Sequence, residues 1–416
     1  MADASVFPEN FLWGVAGAAH QIEGNNVNSD SWVLEHIPGG PFAEPAGDAC
    51  DHYHRYPQDI ALIASLGFNS YRFSIEWARI EPEEGEFSNA ELEHYRRMLA
   101  ACHEHGLTPI VTYHHFTSPR WFAAKGGWEV LANADYFARY CEKATAHLGD
   151  LIGAACTLNE PNLGLLIQSM GFTPPDEVVA KAPYRAAAAK AVGSDQFSAF
   201  PNCQHGPARD TFLKAHPMAV AAIKSGRGDF PVGITLAMSD HQAVPGGEAH
   251  RDKFRHDVDD IFLDLAKDDD FVGVQTYSRT RFGPEGMLRG EEGVPVTQMG
   301  YEFWPEALEG TIRYAAAYTG RPVLVTENGI GTENDADRIE YVGRALAGVS
   351  RCLQDGIDVR GYCYWSIFDN FEWGFGYRPK FGLIAVDRAT QERAPKPSAA
   401  WLGEIARSKG QFQSGF

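Results

Sequence analysis

Eight times along this chain a short apolar run ends in polar or aromatic residues and gives way to a helical pattern. The runs are 11–18, 70–75, 108–113, 155–158, 232–237, 271–276, 322–326 and 359–365. Amphipathic stretches separate them, and several carry their own end signals. Ser88-Asn-Ala-Glu91 is a capping box that predicts a helix running to about Gly106. Helices are likewise expected over 134–149, 207–226, 254–268, 304–320, 336–356 and 396–410, most of them closing on a glycine. Such alternation predicts parallel strands with crossover helices, and eight is the number that closes a barrel. An open doubly wound sheet is the alternative, but no glycine-rich phosphate loop follows the first run. The expectation is therefore α/β: a single (β/α)8 TIM barrel with extended βα loops, residues 1–416 forming one domain.

Bulk composition narrows the partners. Length alone would also allow two or three domains, yet no shift in composition marks a boundary in these 416 residues. A net charge of −19 lacks the basic footprint that nucleic acid requires, and no run reaches the length of a membrane span. The first ten residues have neither a basic region nor an apolar core, so no secretory signal is expected there. Seven cysteines, odd in number, scattered and without a C-x-x-C pair, suggest reduced packing thiols in a cytoplasmic protein. Two stretches read as long loops over the barrel mouth: 171–206, as a lid or an inert insertion, and 283–300.

In a barrel the site forms where strands end. The segment 323–329 reads Val-Leu-Val-Thr-Glu-Asn-Gly and stops at Glu327, while 155–161 reads Ala-Cys-Thr-Leu-Asn-Glu-Pro and stops at Glu160. Taken singly, each glutamate is more often a solvated loop residue or a helix cap. Together, two carboxylates on two strand ends are the minimum equipment for glycoside hydrolysis. Around them the other strand ends supply Gln21, Arg72, His114, His115, Asn159, Tyr277, Trp365, Glu372 and Trp373. This ring offers donors and acceptors for hydroxyls and flat plates for a pyranose, with no cluster of cations for a phosphate. Trp13, Trp77, Trp121, Trp128 and Trp304 are read as core or helix-surface residues instead.

The motifs, in order, resemble those of family 1 glycoside hydrolases of the β-glucosidase type. They are Phe11-Leu-Trp-Gly14 with Gln21-Ile-Glu-Gly24, Asp51-His-Tyr-His-Arg-Tyr56, Tyr71-Arg-Phe-Ser-Ile-Glu-Trp77, Thr157-Leu-Asn-Glu-Pro161, Thr326-Glu-Asn-Gly329 and Tyr364-Trp-Ser-Ile-Phe-Asp-Asn-Phe-Glu-Trp373. The resemblance implies a retaining exo-β-glycosidase, foremost a β-glucosidase, with Glu327 as nucleophile and Glu160 as acid/base. Arg72 and Asn328 would keep Glu327 charged and Tyr277 would donate to it. Gln21, His114, Asn159 and Glu372 would meet sugar hydroxyls, Asn159 at the 2-position, with Trp365 and Trp373 as floor and wall. No cofactor or metal is implied; the expected partner is a small β-glycoside, without nucleic acid or membrane.

The chain departs from the family in three places. Gln275-Thr276-Tyr277 stands where Asn-Tyr-Tyr is usual, His114-His115-Phe116 replaces His-Trp-Asp, and 171–206 lacks a glycine-proline signature. Of His114 and His115, only one is expected to line the site, because strand neighbours face opposite ways. Asp51-His-Tyr-His54 is read as a structural cluster rather than a metal site. A β-galactosidase, a broad β-glycosidase with transglycosylation, and a sugar-binding barrel without turnover remain as alternatives. Glu372 favours unphosphorylated sugars.

Overall fold

The computed structural model describes residues 7–200 and 202–411. Its eight barrel strands are β1 (Leu12–Gly17), β2 (Ser70–Ser74), β3 (Thr108–His114), β4 (Ala154–Asn159), β5 (Val232–Ala237), β6 (Phe271–Gln275), β7 (Val323–Asn328) and β8 (Val359–Trp365). Each pairs in parallel with the next, and β8 closes on β1. After each strand comes one main helix: α1 (His52–Leu66), α2 (Asn89–Glu104), α3 (Ala134–Leu148), α4 (His205–Lys224), α5, α6 (Ala307–Thr319), α7 (Asp335–Gln354) and α8 (Pro397–Arg407). Helix α5 is composite, running through Glu248–Arg255, a π turn at His256–Asp260, and Ile261–Ala266.

Strand alternation builds two cores. Ala16, Ile110, Ala154, Cys156, Phe271, Leu324 and Cys363 cluster inside the ring, while Val111, Ala155, Ile234, Val272, Val325 and Tyr362 pack outward on the helices. Helix α3 shows why the helices dock: Phe137, Tyr140, Cys141, Ala144 and Leu148 repeat at helical spacing and all are buried. Burying Phe137 alone contributes about 1.5–3 kcal/mol. Every cysteine is buried and free. No helix among the described residues is long and apolar enough to cross a membrane.

Three local expectations change. The Ser88 hydroxyl caps α2 by accepting from Glu91 N (3.3 Å), but the box does not close. The Glu91 carboxylate accepts from Tyr53 OH (3.0 Å), and Ser88 N donates to Ile80 O (2.8 Å). The stretch 171–206 is more ordered than a loop: it carries helices at Asp176–Val179 and Pro183–Ala191, the latter burying Ala188 and Ala189 against Leu34, Phe197 and Ala199. Asp176 then ties it down by accepting from His205 N (2.9 Å) and Gly206 N (3.0 Å) at the start of α4. Finally, the long loop after β6 is entered through a small separate sheet, in which Arg279–Gly283 lies between Asp240–Ala243 and Gly286–Met287 and pairs with both. The His52–His54 pair splits. His52 Nδ1 is buried on Asp59 (2.8 Å), a carboxylate shared with Arg393, and His54 is exposed beside Asp51.

Candidate active site

Two single-residue bulges set the site. Between Cys156 and Asn159, β4 advances three residues while β5 advances two, from Gly233 to Thr235. Between Val325 and Glu327, β7 advances two residues while β6 advances one, from Val274 to Gln275. Cys156 and Leu324 face the barrel interior, so strict alternation would bring Leu158 and Thr326 inward next. The inserted residue reverses the phase, and Asn159 and Glu327 turn in.

Glu327 lands between two donors. Arg72 Nη1 donates to its Oε1 (2.7 Å) and Tyr277 OH to its Oε2 (2.6 Å). Glu160 follows Asn159 with φ +47°, a left-handed turn that carries its carboxyl over the end of the barrel. Asn162 pins that turn across to β5, donating to Ala237 O (2.8 Å) and accepting from Ala237 N (3.0 Å). The Glu160 carboxyl has no hydrogen-bond donor among the described residues. Burial, and next the charge of Glu327, push its pKa well above the usual carboxylate range. Burial raises Glu327 as well, but the Arg72 charge and the Tyr277 hydroxyl pull it back. The surroundings thus favour the proton on Glu160 and the charge on Glu327.

Asn159 is the hub beside them. Its Oδ1 accepts from Arg72 Nη2 (2.5 Å), Gln275 Nε2 (2.8 Å) and Thr235 Oγ1 (3.3 Å), and its Nδ2 lies 3.2 Å from His115 Nε2. His115 is stacked on Trp365 (ring centroids 5.5 Å, 16°) and, farther off, on Trp373 (6.3 Å, 11°). Trp373 in turn stacks on His20 (5.4 Å, 6°), whose Nε2 lies 2.6 Å from Glu35 Oε1. Trp365 Nε1 donates to Glu372 Oε1 (3.3 Å). The amide of Asn370 satisfies its surroundings with nitrogen towards Glu372 (3.2 Å) and oxygen accepting from Gln21 Nε2 (2.9 Å), which joins Gln21 to the group.

Gln21, Arg72, Asn159, Glu160, Tyr277, Glu327, Trp365, Glu372 and Trp373 thus come together as the sequence leads one to expect. Two residues do not. His114 faces the helix layer, with Nε2 3.0 Å from Ser118 Oγ and its ring edge-on to Trp128 (4.9 Å), and burial lowers its pKa to about 3. Its neighbour His115 faces Asn159 instead: the in–out phase of β3 slips between Tyr113, whose hydroxyl already meets Thr145 on α3, and His114. Asn328 also points away from the carboxylates. Its Nδ2 donates to Thr276 O (2.7 Å) and its Oδ1 accepts from Tyr362 OH (2.8 Å), so it braces the strand end and leaves Glu327 to Arg72 and Tyr277. Glu76, just past the end of β2, supports the site from outside: its buried carboxylate accepts from Thr117 Oγ1 (2.7 Å), two residues beyond His115. Thr235 and Asn162 carried no signal in the sequence, since their roles arise from register alone.

Glu372 gives a measurable consequence. Burial, against the Trp365 hydrogen bond, raises its pKa from an ordinary 4.5 to about 8. A carboxyl that holds its proton more tightly when folded contributes stability below about pH 4.5, and that contribution is lost as pH rises through 8. Glu372→Gln, which never ionises, should stabilise the fold at pH 9 by a few kcal/mol, seen as a higher melting temperature, and change it little at pH 4. Equal shifts at both pH values in thermal melts would remove this account.

Comparison with known proteins agrees with the geometry. The sequence model described as Glycosyl hydrolase family 1 matches residues 3–280 and 264–411. β-Glucosidase A of Thermotoga maritima is 32% identical, over 97% of this chain and 98% of its own length. The crystal structure of β-glycosidase BGL167 superposes with a TM-score of 0.94 at 59% identity, covering 98% of this chain and 99% of that one. Structures of the Thermotoga maritima β-glucosidase superpose with a TM-score of 0.83 at 28% identity. They cover 98–99% of this chain and all of that one, one in complex with deoxynojirimycin and another with galacto-hydroximolactam.

Proposed function

Because the chain belongs to glycosyl hydrolase family 1 and is a glycoside hydrolase, we propose that Glu327 and Glu160 carry out a retaining double displacement on terminal β-D-glucosides. The observation that carries the assignment is the asymmetry of the two carboxyls: Glu327 is held by Arg72 and Tyr277, and Glu160 by no donor among the described residues. In the first step the Glu327 carboxylate attacks the anomeric carbon while the Glu160 proton passes to the glycosidic oxygen, releasing the aglycone and leaving a glycosyl ester. Ester formation removes the charge on Glu327, which is the second-largest influence raising Glu160. Glu160 then loses affinity for a proton at the moment it must act as base. In the second step it takes a proton from water, whose oxygen attacks the same carbon, and β-sugar and free Glu327 result.

The sugar lies among Gln21, His115, Asn159 and Glu372, with Trp365 and Trp373 as its apolar boundary. Asn159 Nδ2 serves the 2-hydroxyl. The galacto-configured ligand on the Thermotoga maritima relative supports tolerance of both 4-epimers as a second reading. The eight strand–helix units are read as one domain, and seven buried thiols support a reducing compartment such as the cytoplasm. A panel of aryl β-D-glucoside, β-D-galactoside and β-D-glucoside 6-phosphate tests the substrate. The glucoside should be turned over faster than its 6-phosphate by at least about tenfold, because a phosphate dianion would meet Glu372 with no fixed cation beside it. Preference for the phosphate would overturn the assignment.

A further inference from the structure

Asn159 has a side-chain amide whose two orientations differ chemically: one presents N–H to the sugar, the other C=O. Only the first suits a hydroxyl that is to be bound as an acceptor. The backbone does not choose between them, so something else must. Two nitrogens converge on Oδ1, Arg72 Nη2 and Gln275 Nε2, while the Thr235 hydroxyl divides its single proton between Oδ1 (3.3 Å) and Leu158 O (3.2 Å). All four side chains are buried, and a flipped amide would set its NH2 against the guanidinium and against the Gln275 NH2. Arg72 is anchored on Glu327 through Nη1 and reaches Oδ1 through Nη2, and Gln275 adds a second donor from β6. Gln275 Nε2 has no other acceptor among the described residues, and its own Oε1 is buried without a partner.

The orientation propagates one residue further. With Asn159 Nδ2 donating, His115 Nε2 must accept, which leaves the proton of the neutral imidazole on Nδ1. Nδ1 has no partner among the described residues. A flipped Asn159 would reverse the imidazole as well.

Resting on the reading that Asn159 serves the 2-hydroxyl, we infer that Gln275 is a positioning residue, which fixes the Asn159 amide with its N–H towards the substrate and its oxygen towards Gln275.

The test compares aryl β-D-glucoside with its 2-deoxy analogue. Gln275→Leu should lower kcat/KM on the glucoside by about tenfold, through kcat more than KM, and change the 2-deoxy analogue by less than about twofold. Gln275→Met, which keeps the length but cannot donate, should show the same selectivity and decides the matter if the leucine variant does not fold. Asn159→Ala is the control on the underlying reading. If it slows both substrates equally, Asn159 does not serve the 2-hydroxyl. If Asn159→Ala is selective but the Gln275 variants slow both substrates equally, or neither, Gln275 is not a positioning residue and the reading of Asn159 stands.

Discussion

Glu327→Gln should reduce turnover of aryl β-glucosides by ~10⁴-fold or more while leaving substrate binding within a few-fold. The amide keeps the volume and can still accept from Tyr277, but it cannot form the glycosyl ester and it leaves the Arg72 guanidinium without its charge partner. A sharper form uses Glu327→Ala with azide. Azide entering the vacated space attacks the anomeric carbon once, so the β-glucoside should give the α-glycosyl azide. Detection of the β-azide from this variant would mean that the roles of the two carboxylates are exchanged.

Glu160→Ala should behave in the opposite manner. On an alkyl glucoside, whose leaving group needs a proton, the loss should be about 10²–10⁴-fold, and on a dinitrophenyl glucoside the first step should be nearly normal. The glycosyl ester then accumulates, because water lacks its base. Azide needs none, so it should restore turnover and yield the β-glycosyl azide. The pH profile supplies a further check. Burial and the Glu327 charge raise Glu160, so the alkaline fall of kcat/KM in the parent enzyme marks loss of its proton. That limb should vanish in the variant, and a persisting limb would assign it to another group. Equal losses on both leaving groups, without azide rescue, would exclude Glu160 as the acid.

The strands and principal helices were legible because their signals are local. Each barrel strand is a short run of Val, Ile, Ala or aromatic residues, and the chemistry of Gly106, Gly320 and Pro397 marks helix ends where it was read. The carboxylates and indoles were legible because their neighbours in sequence are also their neighbours at a strand end. What the string of residues conceals is phase. His114 and His115 are equally good candidates until one knows that Ser118 and Trp128 hold the first ring outside the barrel. Asn328 adjoins Glu327 in sequence, but alternation sends it to Tyr362 on the far side of the strand. Thr235 and Gln275 reach Asn159 only through strand pairing, and no pattern within either strand announces it. The helices within 171–206 were hidden for a different reason. An alanine-rich segment has no apolar periodicity to read, and its burial depends on Leu34 and Phe197 from elsewhere.

The single-residue insertions in β4 and β7 separate possession of a catalytic alphabet from its orientation. Deleting the one extra residue, between Cys156 and Asn159 in β4 or between Val325 and Glu327 in β7, would keep Asn159, Glu160 and Glu327 in the chain and turn Asn159 or Glu327 into the helix layer. Such a chain would still be recognised as a relative by its wording while its chemistry was gone. The spacing between Cys156 and Asn159, and between Leu324 and Glu327, therefore carries an orientation that the identity of the motif residues does not.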